Sequence, residues 1–170
     1  MDFLKSSAVV PIGLSLKHGH KYIVTVRGLN SAGYSTMSFS NGVQVDATAP
    51  VGVAPRDGKT LQDVDLQKDG SFISANWNEF QDPESGVTKY EWCAGTKPGV
   101  CDVVSKMDAG SRTVVGQQII PPVASGIKIF VTLMISNGAG GTTTVYSDGV
   151  LVDETAPEVA KVWISISKIR

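Results

Sequence analysis

The six residues VDATAP (45–50) return almost unchanged as VDETAP (152–157). Sliding the chain by 107 residues superimposes 19–50 on 126–157 without a gap, and about half of the 32 aligned positions are identical. The matches include Val24/Val131, Thr25/Thr132, Asn30/Asn137, Gly33/Gly140, Ser40/Ser147 and Gly42/Gly149. A period this long exceeds the roughly 20–50 residues of a solenoid repeat and suits one small domain in a tandem array. The phrase therefore marks a domain boundary. Residues 51–157 form one complete module, 1–50 supply the last strands of a truncated one, and 158–170 leave room for a third to begin. The chain reads as an excerpt of a longer protein.

The apolar pattern is that of strands. KYIVTVRGLN (21–30) alternates around Tyr22, Val24 and Val26, NSAG turns the chain, and GVQVD resumes extended character. In the second copy KIFVTL and GVLVD do the same around SNGAGG. Within the full module the sequence predicts further strands over 63–67, 71–80, 88–95, 102–107 and 113–120. KDG, QDPESG and TKPG, all rich in turn formers, join them. About seven short strands with no helical period predict an all-β sandwich.

Composition narrows the function. The net charge is −1 with no basic block, which removes the usual electrostatic signature of a nucleic-acid or anionic-membrane partner. No apolar run approaches the roughly 18 residues of a membrane span. The opening MDFLKSSAVVPIGLSL has the look of a signal peptide, but Asp2, Pro11 and Gly13 argue against it. Its 5–16 stretch aligns on 112–123, so it is expected to form the end of a strand in the truncated module.

These residues together resemble the fibronectin type III family. Trp77 in ISANWNEF looks like the family's strand-B tryptophan, Tyr90 and Trp92 in KYEW like its aromatic strand C, and YIVTVRGLNSAGYS like strand F and the loop after it. The Asp-x-Thr-Ala-Pro boundary is similar to that of a subgroup found as tandem repeats in large extracellular and cell-surface proteins. The resemblance implies an immunoglobulin-like sandwich in tandem and a non-enzymatic spacer, adhesion or protein-interaction role outside the cell. Partners would be another protein or neighbouring modules of the same chain. The rivals are an accessory region of a secreted enzyme and an intracellular scaffold module. One departure is Ile129, which stands where Tyr22 carries the family's strand-F tyrosine.

Candidate chemistry is sparse. His18 and His20 have no local nucleophile or carboxylate to form a catalytic group, and two ligands make no closed metal site. No cofactor or metal pattern stands out, and no catalytic residue is assigned. Cys93 and Cys101 flank AGTKPGV at matching distances from a turn. They are either a cross-hairpin disulfide, which would fit an oxidising compartment, or two free thiols. Asp82 and Glu84 in QDPESG, with Asn137 and Gly138 in the NGAGG loop, are candidate partner contacts at the module pole. Asp46 and Asp153 either hold calcium between modules or stabilise the boundary turn, where Pro50 and Pro157 stiffen the chain.

Overall fold

The computed structural model describes residues 13–158. Among them there is no helix, and the strands assemble into antiparallel-rich sheets, an all-β sandwich as the patterning predicts. The expected strand over 5–16 falls mostly outside the described residues, as does nearly all of the expected third module.

The described chain divides into two compact units: residues up to 52 with 80–89 and 135–143, and 53–79 with 90–134 and the residues from 144 on. In the first, β1 (Lys21–Tyr22) pairs with β4 (Val43–Gln44), and β2 (Thr25–Leu29) with β3 (Ser35–Phe39). The single strand predicted over 21–30 is thus split. At the break Val24 N donates to Ser40 Oγ (2.9 Å) while Ser40 N donates to Val24 O (2.9 Å), so a side-chain hydroxyl replaces one rung of the ladder. The second copy repeats the device: Val131 N donates to Ser147 Oγ at 2.8 Å and Ser147 N to Val131 O at 2.9 Å. This is why the repeat keeps a serine there.

The second unit carries the main core. After β5 (Arg56–Asp57) and β6 (Leu66–Gln67) come β7 (Phe72–Asn76), β8 (Val87–Gly95), β9 (Val104–Gly110) and β10 (Val114–Gln118). The chain then runs through β11 (Lys128–Asn137), β12 (Thr142–Tyr146) and β13 (Val150–Val152). One sheet has the order β10-β7-β5; the other runs β6-β13-β11-β8-β9, with β12 also on β11. β5 is not foreseen by the sequence, since two residues carry no period. The strand predicted over 63–67 shrinks to β6, held parallel to β13. Ile73, Trp77, Tyr90, Trp92, Val131 and Leu133 are buried, and the Trp77 and Tyr90 rings meet at 5.8 Å. Each such side chain contributes about 1.5–3 kcal/mol on leaving water.

The two copies differ in cover rather than in pattern. Val24 and Val26 are 61% and 62% exposed, while their counterparts Val131 and Leu133 are 0% exposed. Along β11 the buried apolar positions are Ile129, Val131, Leu133 and Ile135, and the same two-residue parity carries inward the polar residue that follows, Asn137; Thr132, on the other face, is buried as well.

Candidate functional site

A buried asparagine must find partners, because an unpaired buried amide costs about 1–3 kcal/mol. Asn137 finds them on both ends of its side chain. Its Oδ1 accepts from Ala139 N (3.1 Å) and Gly141 N (2.6 Å), folding the NGAGG loop back on itself. Its Nδ2 shares two N–H groups among Asp46 Oδ2, Thr48 O and Asp82 Oδ2, each at 2.9 Å. The boundary phrase VDATAP (45–50) is therefore gripped by the pole loops, all inside the first unit.

Asp46 is the residue they grip. Its Oδ1 accepts from Thr48 N (2.9 Å) and Thr48 Oγ1 (2.8 Å), the short-range turn that Asp-x-Thr favours. Its Oδ2 accepts from the Ser85 hydroxyl (2.5 Å) as well as from Asn137. The Asp46 side chain is 1% exposed. The Ser85 hydroxyl, ahead of the Thr48 amide, holds its carboxyl down at about 2 from the ordinary 3.8. Asp82 is also held below its ordinary range, first by the Asn137 amide and then by Ser85 N, which donates to Oδ1 at 3.0 Å.

Two glycines let the backbones close up. A Cβ on Gly138 would lie 2.7 Å from Ser85 O, and one on Gly141 would lie 2.6 Å from Thr48 O. Gly138 N donates to Gly86 O at 3.1 Å. Further along the boundary, Thr143 Oγ1 donates to Pro50 O (2.5 Å), and Val51 and Gln81 exchange both backbone bonds at 2.9 and 2.8 Å. His18, read from sequence as neither catalytic nor part of a closed metal site, joins the edge of the site. Its Nδ1 accepts from Ala47 N at 3.1 Å, which leaves Nε2 to carry the proton of the neutral ring, 3.6 Å from Glu84 Oε1.

The four predicted contact residues are brought together here. Asn137 binds the boundary segment directly, Asp82 accepts from the Asn137 amide and from Ser85 N, Gly138 admits the close approach of the Ser85 loop, and Glu84 faces His18. Sequence reading missed Ser85; a serine in a turn carries no mark of a partner 39 residues away. Asp46, Asp82 and Glu84 place carboxylate oxygens within 4.8 Å of one another. Both oxygens of Asp46 already take two donors each, which fills the roughly four acceptor positions of a carboxylate. The cluster is a hydrogen-bonded clasp in which Asp46 and Asp82 are acceptors.

Each half of the clasp has a twin. Asp153 Oδ1 accepts from Thr155 N (3.0 Å) and Thr155 Oγ1 (2.5 Å), as Asp46 does from Thr48. Asn30 Oδ1 accepts from Ala32 N (3.0 Å) and Tyr34 N (2.9 Å), as Asn137 does within its own loop.

Elsewhere, Cys93 and Cys101 form a disulfide across the loop between β8 and β9, which Asp102 also ties by accepting from Thr96 N (2.8 Å) and Thr96 Oγ1 (2.7 Å). No helix among the described residues is long and apolar enough to cross a membrane. No family model and no curated protein matches the chain.

Proposed function

We infer that the chain is a non-enzymatic spacer and interaction segment of an extracellular or cell-surface protein, built of tandem modules of the fibronectin type III kind. The observation that carries the reading is the clasp around Asp46. A boundary phrase that occurs twice is held, at its first occurrence, by loops of the module that follows it. The twin turns at Asp153 and Asn30 make the same joint repeatable along a longer array. Its mechanism is geometric: each sandwich is a rigid unit, and the clasp limits bending at the joint. The all-β sandwich and the Cys93–Cys101 disulfide support this reading, since disulfides persist in oxidising compartments.

The test is backbone ¹⁵N relaxation on the full chain. Residues 46–50 should be as ordered as the strands of 72–137, and Asn137→Ala should release them while leaving the strands unchanged. A boundary segment already flexible in the wild type would overturn the joint, and with it the spacer reading.

A further inference from the structure

A second acidic group lies away from the clasp and is built differently. Asp57, on β5, is 0% exposed. One of its oxygens is accounted for: Oδ2 accepts from Gly149 N at 3.0 Å. Ser147, whose Oγ accepts from Val131 N at 2.8 Å, lies near the same carboxylate and favours its charged form. The other oxygen, Oδ1, is buried and has no hydrogen-bond partner among the described residues. A native fold rarely leaves such an acceptor empty, because an unmet charged group costs more than a neutral one.

The surroundings add charge of the same sign. One carboxylate oxygen from each of Asp57, Asp63 and Asp148 lies within 4.8 Å of the other two. Asp63 is fixed by its own Oδ1, which accepts from Asp57 N (2.7 Å) and Val64 N (3.2 Å). Asp63 and Asp148 are exposed, so the group opens to solvent on one side and ends in the buried Asp57 on the other. Burial, with Asp63 and Asp148 adding to it, pushes the Asp57 carboxyl up to about 7, against the donors Ser147 and Gly149.

We propose that Asp57, Asp63 and Asp148 form a binding site for one hard divalent cation, with calcium the ion that fits best. The donors are all carboxylate oxygens, with no nitrogen or sulfur to favour zinc or copper. Two oxygens that each lie 2.3–2.6 Å from one calcium ion are at most about 5 Å apart, and the three here meet that limit. The orphaned Asp57 oxygen supplies the buried ligand, the two exposed aspartates close the outer side, and water completes the shell. The first copy carries Asn41 where the second has Asp148, so the site belongs to the complete module.

The experiment is calcium titration of the full chain after chelator treatment, at pH 7.5, read by calorimetry and by thermal unfolding. The wild type should bind one calcium ion saturably and gain melting temperature. Asp63→Asn and Asp148→Asn change exposed residues that the fold tolerates, and each should weaken binding at least about tenfold. Glu84→Gln, in the clasp, and the distant Asp108→Asn should bind as the wild type does. No heat and no thermal shift up to about 10 mM calcium would overturn the site. So would an equal shift with sodium chloride at matched ionic strength, or calcium binding that survives both aspartate changes or is lost in Glu84→Gln.

Discussion

Asn30 and Asn137 occupy the same place in the repeat, yet replacing them by alanine should have very different costs. Asn137→Ala removes an amide that is 4% exposed and holds two loop N–H groups, one carbonyl and two carboxylates. A net hydrogen bond is worth about 0.5–1.5 kcal/mol and one to a charged group about 1.5–3, but bonds sharing one side chain do not add in full. Asp46 keeps Ser85 and Thr48, while Asp82 Oδ2 loses its amide partner. A loss of about 3 kcal/mol follows. Asn30→Ala removes two bonds in an exposed turn, Ala32 N and Tyr34 N, both of which water can replace. Its cost should be about 0.5–1 kcal/mol. Urea unfolding of the full chain reads the difference through the fluorescence of buried Trp77 and Trp92. A double-mutant cycle of Asn137→Ala with Asp46→Ala should show coupling of at least about 1 kcal/mol. Equal costs for the two asparagines, or no coupling to Asp46, would refute the argument that the boundary phrase is what Asn137 holds.

Other outcomes follow from the same geometry. Gly141→Ala should disrupt the joint, because its Cβ would lie 2.6 Å from the Thr48 carbonyl, and ¹⁵N relaxation should show residues 46–50 released as in Asn137→Ala. Opening the Cys93–Cys101 link by a double Ser substitution should cost about 2.5 kcal/mol by loop-closure entropy, and thiol counting on the denatured wild type, expressed through an oxidising route, should find none free. Because the Asp46 carboxyl is lowered to about 2 from 3.8, its contribution is complete above about pH 4 and fades as pH falls toward 2. Urea midpoints at pH 5, 3.5 and 2 should therefore converge between the wild type and Asp46→Asn; a constant gap would contradict the assignment. Leu133→Ala should cost about 3 kcal/mol, whereas Val26→Ala, at the matching position on an exposed strand, should cost under about 0.5 kcal/mol.

Much of this architecture is legible from local pattern. The alternation in 128–137 places Val131, Leu133 and Asn137 on one side without reference to the rest of the chain, since successive residues of a strand point to opposite faces. The paired boundary phrases and the turn formers between strands likewise act within a few residues: Asp46 with Thr48, Asn137 with Ala139 and Gly141. Cys93 and Cys101 are close enough in sequence for a turn to bring them together. The strands that sequence reading missed or made too long, β5 and β6, have two residues each and exist only because longer neighbours hydrogen-bond to them.

The sites are another matter. Asp46 meets Ser85 across 39 residues and Asn137 across 91, and Asp57 meets Gly149 across 92. Nothing in the letters around Asp57 distinguishes it from Asp63 or Asp65, yet it alone of the three is buried. By itself, then, the sequence determined the strand faces, the repeat and the turns, because those depend on bonds between near neighbours and on a two-residue period. Only the tertiary structure decided which aspartate is clasped, which is entombed with an empty oxygen, and which of two similar apolar patterns is covered. Burial and long-range pairing are properties of the whole packed chain, and a local pattern carries no record of what will lie against it.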